Sequence, residues 1–303
     1  MAEFNRRAFL AGLAASTMSA APKPSQIIDT HTHFYDPARP GGVPWPPKDE
    51  KLLYRTVLPA EYRKLAQPLG VTGTIEVEAS PWLEDNQWVL DLAAKDKFLV
   101  GTVGHLDPGQ SGFAKNLERF HKNPLFLGIR LGVLWGSNFL RDIPGAGYVD
   151  DLKRLADAGL ALDVVGDGDV SILPAIVRAT DRIPNLRVII DHLPFDPKDK
   201  QAEMRAIGQR PNIYAKVSNV LRRVDGKVPA DVASYRTSLD YLWNLFGEGR
   251  VIYGSNWPVS DRIAPFAVEL NVVKEYFGSK GDAATQKYFW KNSQAAYRWV
   301  KRS

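Results

Sequence analysis

Two histidines, His31 and His33, end the β-branched run that begins at Ile27 and stand two residues apart. Side chains alternate faces along a strand, so both imidazoles point the same way. Other side chains able to do chemistry recur in the same setting, each where an apolar run stops: Glu78, His105, Arg130, Asp163, His192, Lys216 with Ser218, and Asn256. The runs themselves are Val, Ile, Leu and Ala. Polar groups gathered at one end of such strands must offset their own desolvation, which points to a shared cavity.

Each of these residues suggests a role. His192 either completes a three-imidazole set with His31 and His33 or polarises a substrate carbonyl. Three neutral ring nitrogens suit one divalent ion, zinc above others, and leave a coordination position for water. Arg130 offers a planar fork to a substrate carboxylate or a developing oxyanion, or else it pairs with Glu76 or Glu78. Lys216 contacts substrate or carries its charge out to solvent on a long stem. His105 follows a strand and is expected to line the site, whereas His121 lies in a helical stretch and reads as a surface residue.

The elements that must position these groups are legible as an alternation. Strands are expected at 26–31, 73–78, 98–103, 126–130, 161–165, 186–191, 212–217 and 250–254, with helical patterns between them. Eight βα units in one chain predict an α/β fold of the (β/α)8 TIM-barrel type, distorted, with its chemistry at the C-terminal ends of the strands. Helices are expected at 83–94, 148–158 and 235–246; in the first, Trp88, Val89 and Leu92 share a face and acids occupy the opening turn. A last helix from about 282 to 300 closes the barrel. The Pro- and Gly-rich stretch from Pro37 to Pro59, which holds Trp45, is too long and aperiodic for a simple linker and is read as a flap over the barrel mouth.

Composition sets the outer bounds. The 303 residues are 45% hydrophobic and 24% charged, which excludes a disordered or collagen-like chain. The net charge of +5 is scattered, without the basic, aromatic-interleaved patch that tracks a nucleic acid. With no cysteine there are no disulfides, thiolate metal sites or cysteine nucleophile. Asn5-Arg6-Arg7-Ala8-Phe9-Leu10 before a short small-residue apolar run has the twin-arginine arrangement of an export signal. Residues 1–21 are therefore expected to be a signal peptide, residues 22–303 a single periplasmic domain without a stable membrane anchor, and the partner a small-molecule substrate. The oligomeric state has no signature here.

The runs Ile28-Asp29-Thr30-His31-Thr32-His33-Phe34-Tyr35-Asp36-Pro37, Asp191-His192-Leu193 and Tyr253-Gly254-Ser255-Asn256-Trp257-Pro258-Val259 together resemble the amidohydrolase superfamily. Within it the likeness is to the amidohydrolase-related group of fuconolactonase-like sugar lactonases and 2-pyrone-4,6-dicarboxylate lactonase, and it spans residues 26 to 300. The resemblance implies opening of a lactone or similar cyclic ester by activated water. His31, His33 and His192 lie at its centre, and some members of the group work without a metal. It adds Tyr35 and Trp257, within the first and last motifs, as substrate contacts. Two departures matter. The family's strand-eight aspartate is Asn256 here, and strand five ends in Asp163-Val164-Val165 without the histidine of metal-rich members. The base then falls to Glu78, Asp163 or a histidine, with Asn256 positioning substrate or water. Two other readings stay open: a binder of a carbohydrate acid or lactone, and a decarboxylase-type lyase.

Overall fold

The protein, a computed structural model, is described over residues 23–166, 172–193 and 201–302. The expected signal peptide at 1–21 lies outside the described residues. Eight strands run β1 (Ile28–Thr32), β2 (Gly73–Val77), β3 (Leu99–Gly104), β4 (Phe126–Gly132), β5 (Ala161–Val165), β6 (Arg187–Asp191), β7 (Ile213–Val217) and β8 (Val251–Tyr253). They lie in sequence order, each parallel to the next. All eight are buried along their whole length, as strands covered on both faces must be. The expected barrel is the observed one.

Helices cover the outside: α1 (Pro59–Ala66), α2 (Leu83–Lys95), α3 (Phe113–Phe120), α4 (Phe139–Asp142), α5 (Tyr148–Asp157) and α6 (Leu173–Arg182) in the first part. The second part carries α7 (Gln201–Gly208), α8 (Arg236–Phe246), α9 (Phe266–Ser279), α10 (Asp282–Gln286) and α11 (Asn292–Tyr297). None of the described helices is long and apolar enough to cross a membrane.

Two side chains and one backbone hydrogen bond join the two ends of the sheet. Thr30 Oγ1 donates to Tyr253 O at 2.6 Å, the Asp29 carboxylate accepts from Ser255 N at 2.9 Å, and His33 N donates to Trp257 O at 2.9 Å. The seam therefore passes through the first and last motifs, and His33 and Asn256 become neighbours.

The last helix differs from its expected form. It is divided by a π-helical turn at Lys287–Lys291 and ends at Tyr297, because Arg298 adopts φ 59°. Consecutive residues Tyr288 and Phe289 are both fully buried, and an α-helix would turn one of them about 100° from the other. The end of the chain then tucks Ala296, Tyr297 and Trp299 against Ile28, Val100 and Ile252, with Arg187 Nε donating to Ala296 O at 2.7 Å. This segment plugs the barrel interior from below.

The stretch between β1 and α1 has no helix or strand. Paired backbone hydrogen bonds between Tyr35 and Val57, each 2.9 Å, close it at its base. Glu50 accepts from Arg262 Nη2 at 2.8 Å, which ties its middle to the loop after β8.

Candidate active site

The strand ends open into a cavity of about 390 Å³. Its polar lining is His33, Glu78, Arg130, Asn256 and Arg262, and its walls are chiefly Trp45, Val133, Leu134, Trp135, Val165 and Val259. The backbone around it is unusual. Of the six non-glycine residues with left-handed φ among the described residues, four stand where strands end: Trp135 (58°), His192 (48°), Asn219 (54°) and Asn256 (58°). Asparagine tolerates that region, whereas Trp135 and His192 each cost on the order of 1–2 kcal/mol there. Such conformations persist where the surroundings hold them, as at ligand sites.

Hydrogen-bond accounting assigns His33. Its Nδ1 lies 2.7 Å from Val77 O, and a carbonyl can only accept, so Nδ1 carries the proton and Nε2 keeps a lone pair. Burial first, then the charge of Arg130, lower its pKa to about 3, so the ring is neutral. Asn256 Oδ1 lies 3.1 Å from that Nε2, and Asn256 Nδ2 lies 2.9 Å from Asn219 Oδ1. A lone pair opposed to an amide oxygen is repulsive. The contact is satisfied when both asparagine amides are turned, so that Asn256 Nδ2 donates to His33 and Asn219 Nδ2 donates to Asn256 Oδ1. Asn256 is thus an orienting group for a neutral ring nitrogen that accepts.

The other two histidines stand against each other, with ring centroids 4.4 Å apart for His31 and His192, and 4.9 Å for His31 and His33. His192 is part-exposed, its Nδ1 lies 2.6 Å from Ser218 Oγ, and burial brings its pKa to about 4. His31 is wholly buried, and its Nε2 has no partner. Its Nδ1 lies between Lys216 Nζ at 3.3 Å and Asp191 Oδ1 at 3.4 Å.

Lys216 turns into the barrel and not out to solvent. Its ammonium, fully buried, lies 2.6 Å from Asp163 Oδ2 and 2.8 Å from Asp191 Oδ1. Tyr297, from the plug below, donates to Asp163 at 2.7 Å. Burial works against ionising Asp191, but Lys216 and His31 hold its carboxyl well below the usual range. Asp163 goes the other way, raised to about 7 by burial in spite of the same ammonium, with the charge of Asp191 adding to the rise. The two carboxyls share one cation and titrate together. Gly254 makes room for this cluster: a Cβ there would lie 2.9 Å from His31 Cβ and 3.2 Å from Lys216 Cδ.

Glu78 and Arg130 are each other's partners. Arg130 Nε donates to Glu78 Oε1 at 2.9 Å and Nη2 to Glu78 O at 2.7 Å, while Trp135 Nε1 and Ser80 N donate to the same carboxylate. Four remaining residues have other surroundings. His105 Nε2 bonds Asp107 at 3.0 Å and is not among the described residues that line the cavity. Tyr35 donates its hydroxyl to Leu53 O at 2.8 Å and packs against Trp45. Trp257 is buried among Phe34 and Tyr62 in the β1–β8 seam. His121 is at the surface beside Glu118. The structure thus gathers His33, Asn256, Glu78 and Arg130 at the cavity, with His31, Lys216 and Asp163 in a layer held by Tyr297 from below.

The donor set can be set against a divalent ion. His31 Nε2 is an orphaned buried nitrogen, and His33 Nε2 faces the Asn256 amide, which together make two imidazoles and one amide. Both nearby aspartates are engaged by Lys216, whose charge would repel a second cation at His31. Among the described residues no three His, Asp or Glu side chains are grouped to hold a metal ion. These residues do not fit a tightly held zinc ion, which even at a site open to water calls for three imidazole or anionic protein ligands.

Trp45 lines the cavity, as expected of a flap over the mouth, while sequence reasoning missed Asp191 as a network member, and also Trp135, Asn219 and Tyr297. Asp191 carried a signal, since period two from Ile189 puts it on the inner face. Tyr297 carried none.

Comparison with known proteins agrees with this architecture. A model of the amidohydrolase family matches residues 28–299. The L-fucono-1,5-lactonase of Burkholderia ambifaria is 30% identical over 243 residues, which cover 77% of this chain and 80% of that protein. A crystal structure of a Burkholderia multivorans amidohydrolase with bound zinc superposes with a TM-score of 0.80 at 20% identity, covering 91% of this chain and all of that one (100%). A candidate 2-pyrone-4,6-dicarboxylic acid hydrolase from Pseudomonas putida superposes at 0.70 with 20% identity, covering 90% and 97%. At those identities the two structures speak for the fold alone.

Proposed function

The chain belongs to the amidohydrolase family, and on that premise we propose that it hydrolyses a lactone or similar cyclic ester. The observation that carries this reading is His33. A neutral imidazole, fixed by Val77 with its lone pair at Nε2, opens on the cavity beside Asn256 and Arg130. Once the attacking water takes the place of the Asn256 amide at Nε2, that nitrogen can take a proton from it as the water oxygen adds to the ester carbonyl carbon. Arg130 stands by for the negative charge that develops on the carbonyl oxygen. The carbonyl then re-forms, the ring C–O bond breaks, and the imidazolium returns its proton to the departing oxygen. A conjugate acid with a pKa of about 3 gives that proton up readily. The product is the open-chain hydroxy acid, and His33 is neutral again.

Each step uses a residue of this chain, and none is routed through a metal. Zinc is bound in the Burkholderia multivorans relative, and the donor set here supports a metal-independent reaction instead. Export is proposed from Arg6 and Arg7 and is tested by fractionating cells that express the full chain.

The test of the reaction is acid release from a panel of lactones, followed with a pH indicator, with and without chelator. We expect turnover unaffected by the chelator. Ligand-dependent thermal stabilisation without acid release would leave a binder, and carbon dioxide release a lyase.

A further inference from the structure

The cavity has little unused polar capacity. The Glu78 carboxylate already accepts from Arg130, Trp135 and Ser80, two of the Arg130 nitrogens are turned onto Glu78, and Arg262 is paired with Glu50. Trp135, in its left-handed conformation, spends its indole N–H on Glu78 and presents a ring as wall. What stays open among the described lining residues is His33 Nε2 with Asn256 and the Nη1 edge of Arg130, enough for the water and carbonyl oxygen of one ester group, with the remaining nitrogens of Arg262 at the half-exposed rim. Around that point stand Trp45, Val133, Leu134, Val165 and Val259.

We infer that the ligand of this cavity is a lactone with an apolar alkyl or aryl body, and not a polyhydroxylated sugar lactone. The inference rests on the lactone-hydrolase reading for the ester group alone. A sugar ring would press several hydroxyls against valine, leucine and indole surfaces with no partner to accept or donate, and a buried hydroxyl without a partner weakens binding. An aryl or alkyl body meets two indoles and a branched aliphatic wall, in a volume at the small end of ligand pockets.

Two measurements on the whole protein test this. In the first, 3,4-dihydroquinolin-2-one and a gluconolactam, both stable to the reaction, are titrated while tryptophan fluorescence is read. The aryl lactam is expected to bind at least tenfold more tightly, and equal or tighter binding of the sugar lactam would overturn the inference. In the second, dihydrocoumarin and glucono-1,5-lactone are compared by kcat/KM in the parent and in Leu134→Asn. The parent is expected to prefer dihydrocoumarin at least tenfold, and the added amide to narrow that ratio; preference for the sugar lactone, or a ratio that Leu134→Asn leaves unmoved, counts against it. Aryl lactam binding without hydrolysis of either lactone would sink the hydrolase reading and leave the apolar ligand standing.

Discussion

The Lys216 ammonium lies 2.6 Å from the Asp163 carboxylate, with both side chains wholly out of solvent. Asp191 stands on the same ammonium at 2.8 Å, so one cation serves two acids in the layer next to the histidines. Removing one partner of such a pair leaves an uncompensated buried charge, which costs about 3–5 kcal/mol. Lys216→Met is expected to lower stability by about that amount, read from urea midpoints. Adding Asp163→Asn should recover part of the loss, because fewer acids are then left without a cation. A single variant within about 1 kcal/mol of the parent would mean that the acids simply take up protons.

The acid limb of activity follows from two histidines, His33 at the cavity and His192 against His31. Burial lowers His33 to about 3 and His192 to about 4, from an ordinary value of 6.5. Both rings are neutral throughout the usual working range, so kcat/KM should hold level from high pH down to about pH 5 and fall only below that. Arg130 contributes to the low value of His33, and Arg130→Gln should carry the limb upward. A parent profile with an inflection near 6.5 would place the essential proton elsewhere.

Asn256→Asp puts the family's usual residue back at strand eight. If His33 is the base, the change replaces a donor by a carboxylate oxygen beside its lone pair, while the other carboxylate oxygen still accepts from Asn219. An anion there favours the protonated imidazole. Activity at neutral pH is expected to drop at least tenfold, with the acid limb moving up; faster turnover would show that a carboxylate base had been missing.

The sequence carried the barrel and the mouth, because both are written in local patterns. Val and Ile runs mark the strands, and the polar residue that ends each run marks a C-terminal edge, so His33, Arg130 and Asn256 were found before the structure. For Lys216 a long stem allows either cavity or solvent, and Asp163 and Asp191 on two other strands decide between them. Tyr297 meets Asp163 across 134 positions of sequence, through a plug that exists only because the last helix stops at Arg298. Trp135 is placed by a backbone angle of 58°, which no periodicity encodes.

Glu76, on β2, makes the pH dependence of stability testable at one residue. It is buried, accepts from Thr102 at Oε2, and leaves Oε1 without a partner. Burial raises its pKa to about 8 from 4.5, and the nearby charge of Glu78 pushes the same way. Between those two values the native state holds a proton that the unfolded chain has released. Stability from this group is therefore complete below pH 4.5 and is lost as pH rises toward 8, by up to about 1.4 kcal/mol per pH unit within the window. Glu76→Gln keeps the shape and does not titrate. Urea unfolding of parent and variant at steps from about pH 5 to pH 8 should show the variant gaining on the parent at each step, with a slope of that order. Parallel stability curves would mean that Glu76 is ionised in the fold and has found a cation.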